Sequence, residues 1–139
     1  MYRPTITHWN ATKRLIRYLK HTICHGIQPC KTGTPALQTC SDADWAGNID
    51  DCTSTSAYII FLGSNPFSWS SKKQQVVARS TIEAKYQAIT TAASETMWLS
   101  TLLKELGLSV TECPQLLCDN LSATYLSFNL VNHSHMKHI

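Results

Sequence analysis

The spacing of apolar positions changes along the chain, and each change marks an element. In THWNATKRLIRYLKH, residues 7–21, Trp9, Leu15, Ile16 and Leu19 recur at helical spacing with basic residues between them. This predicts an amphipathic helix that Thr7 can cap. IQPCKTGTP, residues 27–35, carries two prolines and a glycine and reads as a linker. Past it the apolar period shortens towards two. ALQTCSDADWAG predicts a strand ending in a glycine turn, and TSAYIIFLG, rich in β-branched and aromatic residues, predicts a second. Gly63-Ser64-Asn65-Pro66 then reads as a hairpin-type connection to FSWSS. QQVVA either extends that third strand or pairs alone.

The helical period returns at Ser80. Ser80 and Glu83 have the S-x-x-E spacing of a capping box. Ala84, Ala88, Ile89, Ala92, Leu99, Leu102, Leu103 and Leu106 form a core stripe behind it, and Gly107 ends the helix. PQLLCDN predicts a short strand running into a carboxylate, and NLSATYLSFNL a shorter amphipathic helix. The order is helix, linker, three strands, long helix, strand, helix. Such an order implies an α/β fold, a mixed sheet whose parallel pair is joined by a helical crossover. The linker places a boundary between an N-terminal helical piece, residues 1–35, and a main domain, residues 36–139.

Composition narrows the function classes. With 139 residues, 43% hydrophobic and 15% charged, the chain is that of one globular domain. A net charge of +3 is too small to argue for nucleic acid. Its distribution says more, because Arg3, Lys13, Arg14, Arg17 and Lys20 crowd the first 20 residues; such a run marks either a solvated face or a phosphate track. The six cysteines form no CxxC pair and follow no apolar leader, so reduced, mostly buried thiols in an intracellular protein, cytoplasmic or nuclear and not secreted, are expected. No apolar run approaches the length of a membrane span. His133, His135 and His138 have an HxHxxH spacing, but no cysteine or carboxylate nearby completes a metal site, so a mobile, unliganded tail from about His133 is expected.

Asp42 and Asp119 each fall at or near the end of a predicted strand, the usual ligand-facing position of open α/β sheets. Carboxylates from neighbouring parallel strands can share a hard cation. Asp119 could equally cap the helix that follows it.

The stretches HWNATKRLIRYLKHT, SDADWAG, STSAYIIFLGSNPFSWSSKKQQVVARSTIEAKYQAI, ETMWLSTLLKELG, LLCDNLSA and HSHMKHI resemble, in order and over nearly the whole chain, the ribonuclease H domain of copia-type LTR retrotransposon Pol polyproteins, preceded by the end of the reverse transcriptase region. The resemblance implies a ribonuclease H-like mixed sheet with helices packed on it, truncated at the C-terminus. It also implies an ancestral reaction in which Mg²⁺ ions held by acidic residues cleave the RNA strand of an RNA–DNA hybrid.

Carried over residue by residue, Asp42 matches the family's first-strand aspartate and Asp119 the aspartate ending the fourth strand. The family's helix glutamate falls on Lys85, and its last carboxylate would come directly after Ile139. Two of four ligands are therefore missing, which implies weak or absent metal binding at Asp42 and Asp119 and a nuclease that is weak or lost. Glu83, two residues from Lys85, points roughly 200° round the helix and cannot substitute; Asp44 shares the sheet face of Asp42 but reads more simply as a turn residue. A unit charge about 4 Å from a divalent ion is repelled by roughly 8 kcal/mol at an effective dielectric near 20. Lys85 then either takes the cation's place between the two aspartates or extends into solvent; both predict poor activity. Ser71, Lys72, Lys73 and Arg79, with the basic first helix, would supply the sequence-independent phosphate contacts of a module that keeps weak affinity for hybrid or double-stranded nucleic acid. A third reading is a host-recruited protein-interaction module, which exposed Trp or Met residues would favour.

Overall fold

The computed structural model describes residues 3–31, 35–108, 110 and 112–128. The elements run α1 (Ile6–Thr22), β1 (Leu37–Asp44), β2 (Thr55–Leu62), β3 (Asn65–Lys73), α2 (Thr81–Glu105), β4 (Gln115–Cys118) and α3 (Leu121–Phe128). The strands form one mixed sheet in the order β3-β2-β1-β4. β1 pairs antiparallel with β2, from Leu37↔Leu62 to Asp44↔Thr55, and parallel with β4, from Gln38↔Gln115 to Ser41↔Cys118. The expected mixed sheet and helical crossover are present, in an arrangement compatible with a ribonuclease H-like fold. The stretch from His133 onward, with His135 and His138, lies outside the described residues.

β1 alternates strictly. Leu37, Thr39, Ser41 and Ala43 are buried towards α2, and Gln38, Cys40, Asp42 and Asp44 face the other way. The core therefore lies between the sheet and α2, in two parts. Leu37, Ile60, Leu99 and Leu103 form the apolar part, with Tyr58, Leu62, Leu102 and Val110 packed at its border. Full burial of each such leucine or isoleucine contributes about 1.5–3 kcal/mol. Ala43, Ala78, Ala84 and Ala88 form the second part, where small side chains let the start of α2 lie close against β1. Between the two parts Thr39 Oγ1 and Thr96 Oγ1 meet at 2.7 Å.

Several local expectations are corrected. Thr5, not Thr7, caps α1: its hydroxyl accepts from the His8 amide while the His8 ring accepts from the Thr5 amide at 3.1 Å. No side chain of α1 is buried, and the stripe of Trp9, Leu15, Ile16 and Leu19 is more than half exposed. β3 begins at Asn65, so the hairpin loop is only Gly63-Ser64, with Gly63 at φ 60 in the first central position as a type II′ turn requires. QQVVA neither extends β3 nor pairs. It leads into α2, held by a 2.8 Å bond from Gln74 N–H to Ser54 O and a 3.0 Å bond from Trp45 Nε1 to Ala78 O.

The turn after β1 takes its left-handed residue at Ala46, φ 51, rather than at Gly47. A Cβ at Gly47 would meet the Asp44 carboxylate, the end of an exposed side chain that can swing aside. At the start of α2 the Ser80 hydroxyl accepts from Glu83 N as a cap should, but the Glu83 carboxylate reaches the Arg79 amide, at 2.7 Å, instead of that of Ser80. Leu106 is an exposed C-cap outside the stripe, and buried Thr96 lies within it. Gly107 at φ 76 closes a Schellman motif, donating to Lys104 O while Leu108 N–H donates to Leu103 O. The cysteines are free, as expected, yet Cys24, Cys30, Cys52 and Cys113 are exposed rather than buried, because they lie in connections between elements. Among the described residues no helix is long and apolar enough to cross a membrane.

Candidate functional site

β1 and β4 are parallel neighbours, so their C-terminal ends bring Asp42 and Asp119 to the same edge of the sheet. Asp119 follows β4 directly. It is not the cap of α3: Asn120 Oδ1 accepts from Ala123 N at 2.9 Å, the bond that an N-cap side chain makes to the third helical residue. The Asp119 carboxylate is thereby left for another partner. Asp42 Oδ1 accepts from the adjoining Ala43 amide at 2.7 Å.

That partner comes from α2. Ala84 and Ala88 seat the first turns of the helix against β1, and the next residue, Lys85, lays its aliphatic stem along the packed surface and delivers its ammonium at the edge. Lys85 Nζ stands 2.6 Å from Asp119 Oδ1 and 3.2 Å from Asp42 Oδ1, bridging the two carboxylates. The lysine side chain is 17% exposed and the aspartates are 68% exposed, so the bridge has one buried and one solvated side. Its electrostatics are mutual. The hydrogen bond from Lys85 holds the Asp119 carboxyl below the usual carboxylate range, and that same bond raises the Lys85 ammonium above the usual lysine value, with Asp42 adding to the effect.

The donor set does not suit a divalent cation. Only two carboxylates converge, and a cationic nitrogen already lies within hydrogen-bonding distance of both. Among the described residues no group of three or more His, Cys, Asp or Glu is placed to hold a metal ion. Glu83 is spent on the Arg79 amide, and the Asp44 carboxylate rests over Gly47. Cys40, Ser41, Leu117 and Cys118 join the two aspartates around a shallow cavity of about 400 Å³.

The other candidate residues lie at the far edge strand. Ser71, Lys72 and Lys73 are the exposed end of β3, and Arg79 is exposed before α2. Lys72 and Lys73 line a cavity of about 360 Å³ with Ser56, Gln74, Gln75 and Gln87; Ser71 and Arg79 lie outside it. Lys73 is also ion-paired, at 2.7 Å, to Asp51. Sequence reasoning missed Asp51. Its hydrogen bonds from Lys73 and from the Thr53 side chain and amide pull its pKa down to about 2. The Asp-x-Thr spacing of residues 51–53, a turn signal, was the available clue.

Known proteins supply the context. No family model matches the chain, and no solved structure matches it. Over all 139 residues it is 52% identical to the retrovirus-related Pol polyprotein from transposon RE2 and 51% identical to that from transposon RE1, both of Arabidopsis thaliana. It spans about 10% of the length of each. Over 97 residues, 70% of this chain and 68% of the relative, it is 44% identical to secreted RxLR effector protein 161 of Plasmopara viticola. Matched from end to end at this level, the chain is homologous to the corresponding tenth of those retrotransposon Pol polyproteins.

Proposed function

We propose that residues 36–139 are a degenerate ribonuclease H domain of copia type, following the end of a reverse transcriptase region at residues 1–35, and that Mg²⁺-dependent cleavage of RNA–DNA hybrids has been lost. One observation carries the reading: Lys85 Nζ sits between Asp119 and Asp42, at 2.6 and 3.2 Å, where a hard cation would need a third carboxylate. The ammonium relieves the repulsion between two neighbouring carboxylates and repels a divalent ion from the same place. Lys72 and Lys73 at their cavity favour a retained, weak affinity for hybrid or double-stranded nucleic acid. A second reading, a protein-interaction module recruited by a host, is favoured by the exposure of Trp69, Met97 and Trp98.

The test pairs cleavage with melting. Wild type should leave a labelled RNA–DNA hybrid intact in Mg²⁺, and its melting temperature should not respond to the ion. Lys85→Met should melt lower in metal-free buffer, because the carboxylates lose their counter-charge. Lys85→Glu should melt lower still and recover when Mg²⁺ is added, since an ion stabilises only the native state that binds it. Mg²⁺-dependent cleavage by wild type that disappears in Asp42→Asn would overturn the proposal, as would equal Mg²⁺ shifts in all three proteins.

A further inference from the structure

Charge is divided unevenly along this chain. Six of its 12 lysines and arginines (Arg3, Lys13, Arg14, Arg17, Lys20 and Lys31) precede Asp42, the first acidic residue. The other six share the remaining sequence with all nine acidic residues. Four of the early cations lie on α1, where no side chain is buried. At about 100° per residue, Lys13, Arg14, Arg17 and Lys20 fall within an arc of roughly 120°. The opposite arc, roughly 180° wide, holds Leu15, Leu19, Ile23 and Ile16, with Tyr18 at one border and Trp9 at the other. Each aromatic border adjoins a cation. Arg14 is the next side chain but one round the helix from Tyr18, and Lys13 Nζ lies 5.3 Å from the centre of the Trp9 ring. The polar side chains inside the apolar arc are already engaged. Thr12 and Thr22 donate their hydroxyls to His8 O and Tyr18 O, each at 2.9 Å, and the His8 ring accepts from the Thr5 amide. Ile6, at the first helical position, is the one apolar side chain on the cationic arc.

We propose that α1 docks on the surface of an anionic lipid bilayer, lying in the plane of the interface without crossing it. Three features select this occupant. First, both arcs need a partner. A nucleic-acid backbone neutralises the cationic arc but leaves the aliphatic arc in water, whereas a bilayer takes both, the cations at its phosphates and the aliphatic side chains at the acyl boundary. Second, the aromatic rings stand at the borders of the apolar arc. In a helix lying flat those borders are at headgroup level, where a ring with an apolar body and a polar tip settles. A helix seated in a protein groove turns its aromatic anchors to the centre of the contact, and the centre of this arc is Leu15 and Leu19. Third, neither α1 nor the linker carries a carboxylate for an anionic surface to repel. The linker is pinned to the domain at Cys30, whose amide donates to Asn65 Oδ1 at 2.7 Å and whose carbonyl accepts from Asn65 Nδ2 at 2.8 Å. Residues 24–29 reach roughly 20 Å when extended, which lets α1 lie flat while the domain stays beside the surface.

Co-sedimentation of the full chain with phosphatidylcholine vesicles, with and without about 30% phosphatidylserine, is the test. Wild type should bind the anionic vesicles at least about tenfold more tightly than the neutral ones, and about 0.5 M salt should remove most of the difference. Two paired variants separate the arcs. Arg14→Gln/Arg17→Gln should weaken binding to the anionic vesicles roughly 25-fold, about fivefold for each cation. Ile16→Gln/Leu19→Gln keeps the charge and the helix propensity, and should weaken it at least about tenfold. All four positions are exposed, so both variants should keep the wild-type urea midpoint and so report an intact fold. No binding to anionic vesicles, equal binding to the two vesicle types, or binding unchanged in Ile16→Gln/Leu19→Gln overturns the proposal. A lowered urea midpoint in that variant overturns it as well, since α1 would then be packed on the domain. Wild type that ignores vesicles but binds an RNA–DNA hybrid, with loss only in Arg14→Gln/Arg17→Gln, overturns it in favour of a phosphate backbone as the partner of α1.

Discussion

Thr96→Val tests the joint that holds α2 on β1, and with it the placement of Lys85 over Asp42. Thr96 Oγ1 lies 2.7 Å from Ala92 O and donates to it, so the 2.7 Å bond between the two threonines has Thr39 as its donor. Thr39 is fully buried and Thr96 nearly so. Removing the Thr96 hydroxyl leaves the Thr39 hydroxyl buried without a partner, which costs about 2 kcal/mol within a usual range of roughly 1–3. For a domain of this size that is a fall in Tm of roughly 8 °C. Thr39→Val removes only the donor, and Thr96 keeps its bond to Ala92 O, so the loss should be at most about 1 kcal/mol. The double variant replaces both hydroxyls with methyl groups of similar volume and leaves no orphan. It should therefore be more stable than Thr96→Val alone. Urea melts of the four proteins give the coupling directly. A double variant less stable than Thr96→Val, or a Thr96→Val protein indistinguishable from wild type, would refute the reasoning.

Gly107→Ala should lower stability by roughly 1 kcal/mol through the left-handed backbone alone, since no atom lies within 4 Å of the added Cβ; an unchanged urea midpoint would contradict this. The Lys85 pair fixes a pH window. Lys85 is raised, so its contribution is whole below the ordinary lysine value of 10.5 and lost as pH climbs through the higher folded value. Asp119 is lowered, so its contribution is present above 3.8 and lost as pH falls through the lower folded value. Melts of wild type and Lys85→Met should differ by a constant amount from about pH 5 to 9 and converge outside that range; a difference that grows above pH 11 would be wrong for the pair. Asp51 should titrate near 2 by carbon NMR and rise towards 3.8 in Lys73→Met; no movement would show that Lys73 is not the cause.

The element order was legible because period and punctuation change together: alternation through residues 37–62, then alanines and leucines at helical spacing bounded by Ser80 and Gly107. Caps were harder. Thr5 and Thr7 are equally able by type, and the choice rests on the His8 ring reaching back to Thr5. Periodicity showed that α1 has an apolar side but not that no described residue buries it, because a stripe says nothing about what it faces. For the site, the parallel neighbourhood of Asp42 and Asp119 follows from a strand-helix-strand connection. Whether Lys85 bridges them or points to solvent was left open by the sequence. It depends on the alanine contacts that set the depth of α2, and only coordinates carry those. Asn120 rather than Asp119 as the cap of α3 was similarly undecidable, since both are good capping residues. The Lys73–Asp51 pair joins the end of β3 to the connection between β1 and β2, and the Asp-x-Thr spacing marks only the loop side of it.

The parallel pairing of β1 with β4 also orders events in time. Leu62 and Asn65 pair across a two-residue turn, so the β2–β3 hairpin closes locally, whereas Gln38 must wait for Gln115, roughly 77 residues later. Closing so long a loop carries an entropic cost that local pairings avoid, so β4 adds to a hairpin assembly already formed. Asp119 arrives only with β4, and the bridge to Lys85 is then among the last native interactions to appear. Such a late contact acts on the rate of unfolding rather than of folding. Replacing Lys85 should therefore shorten the lifetime of the folded chain while leaving the speed of its formation nearly untouched.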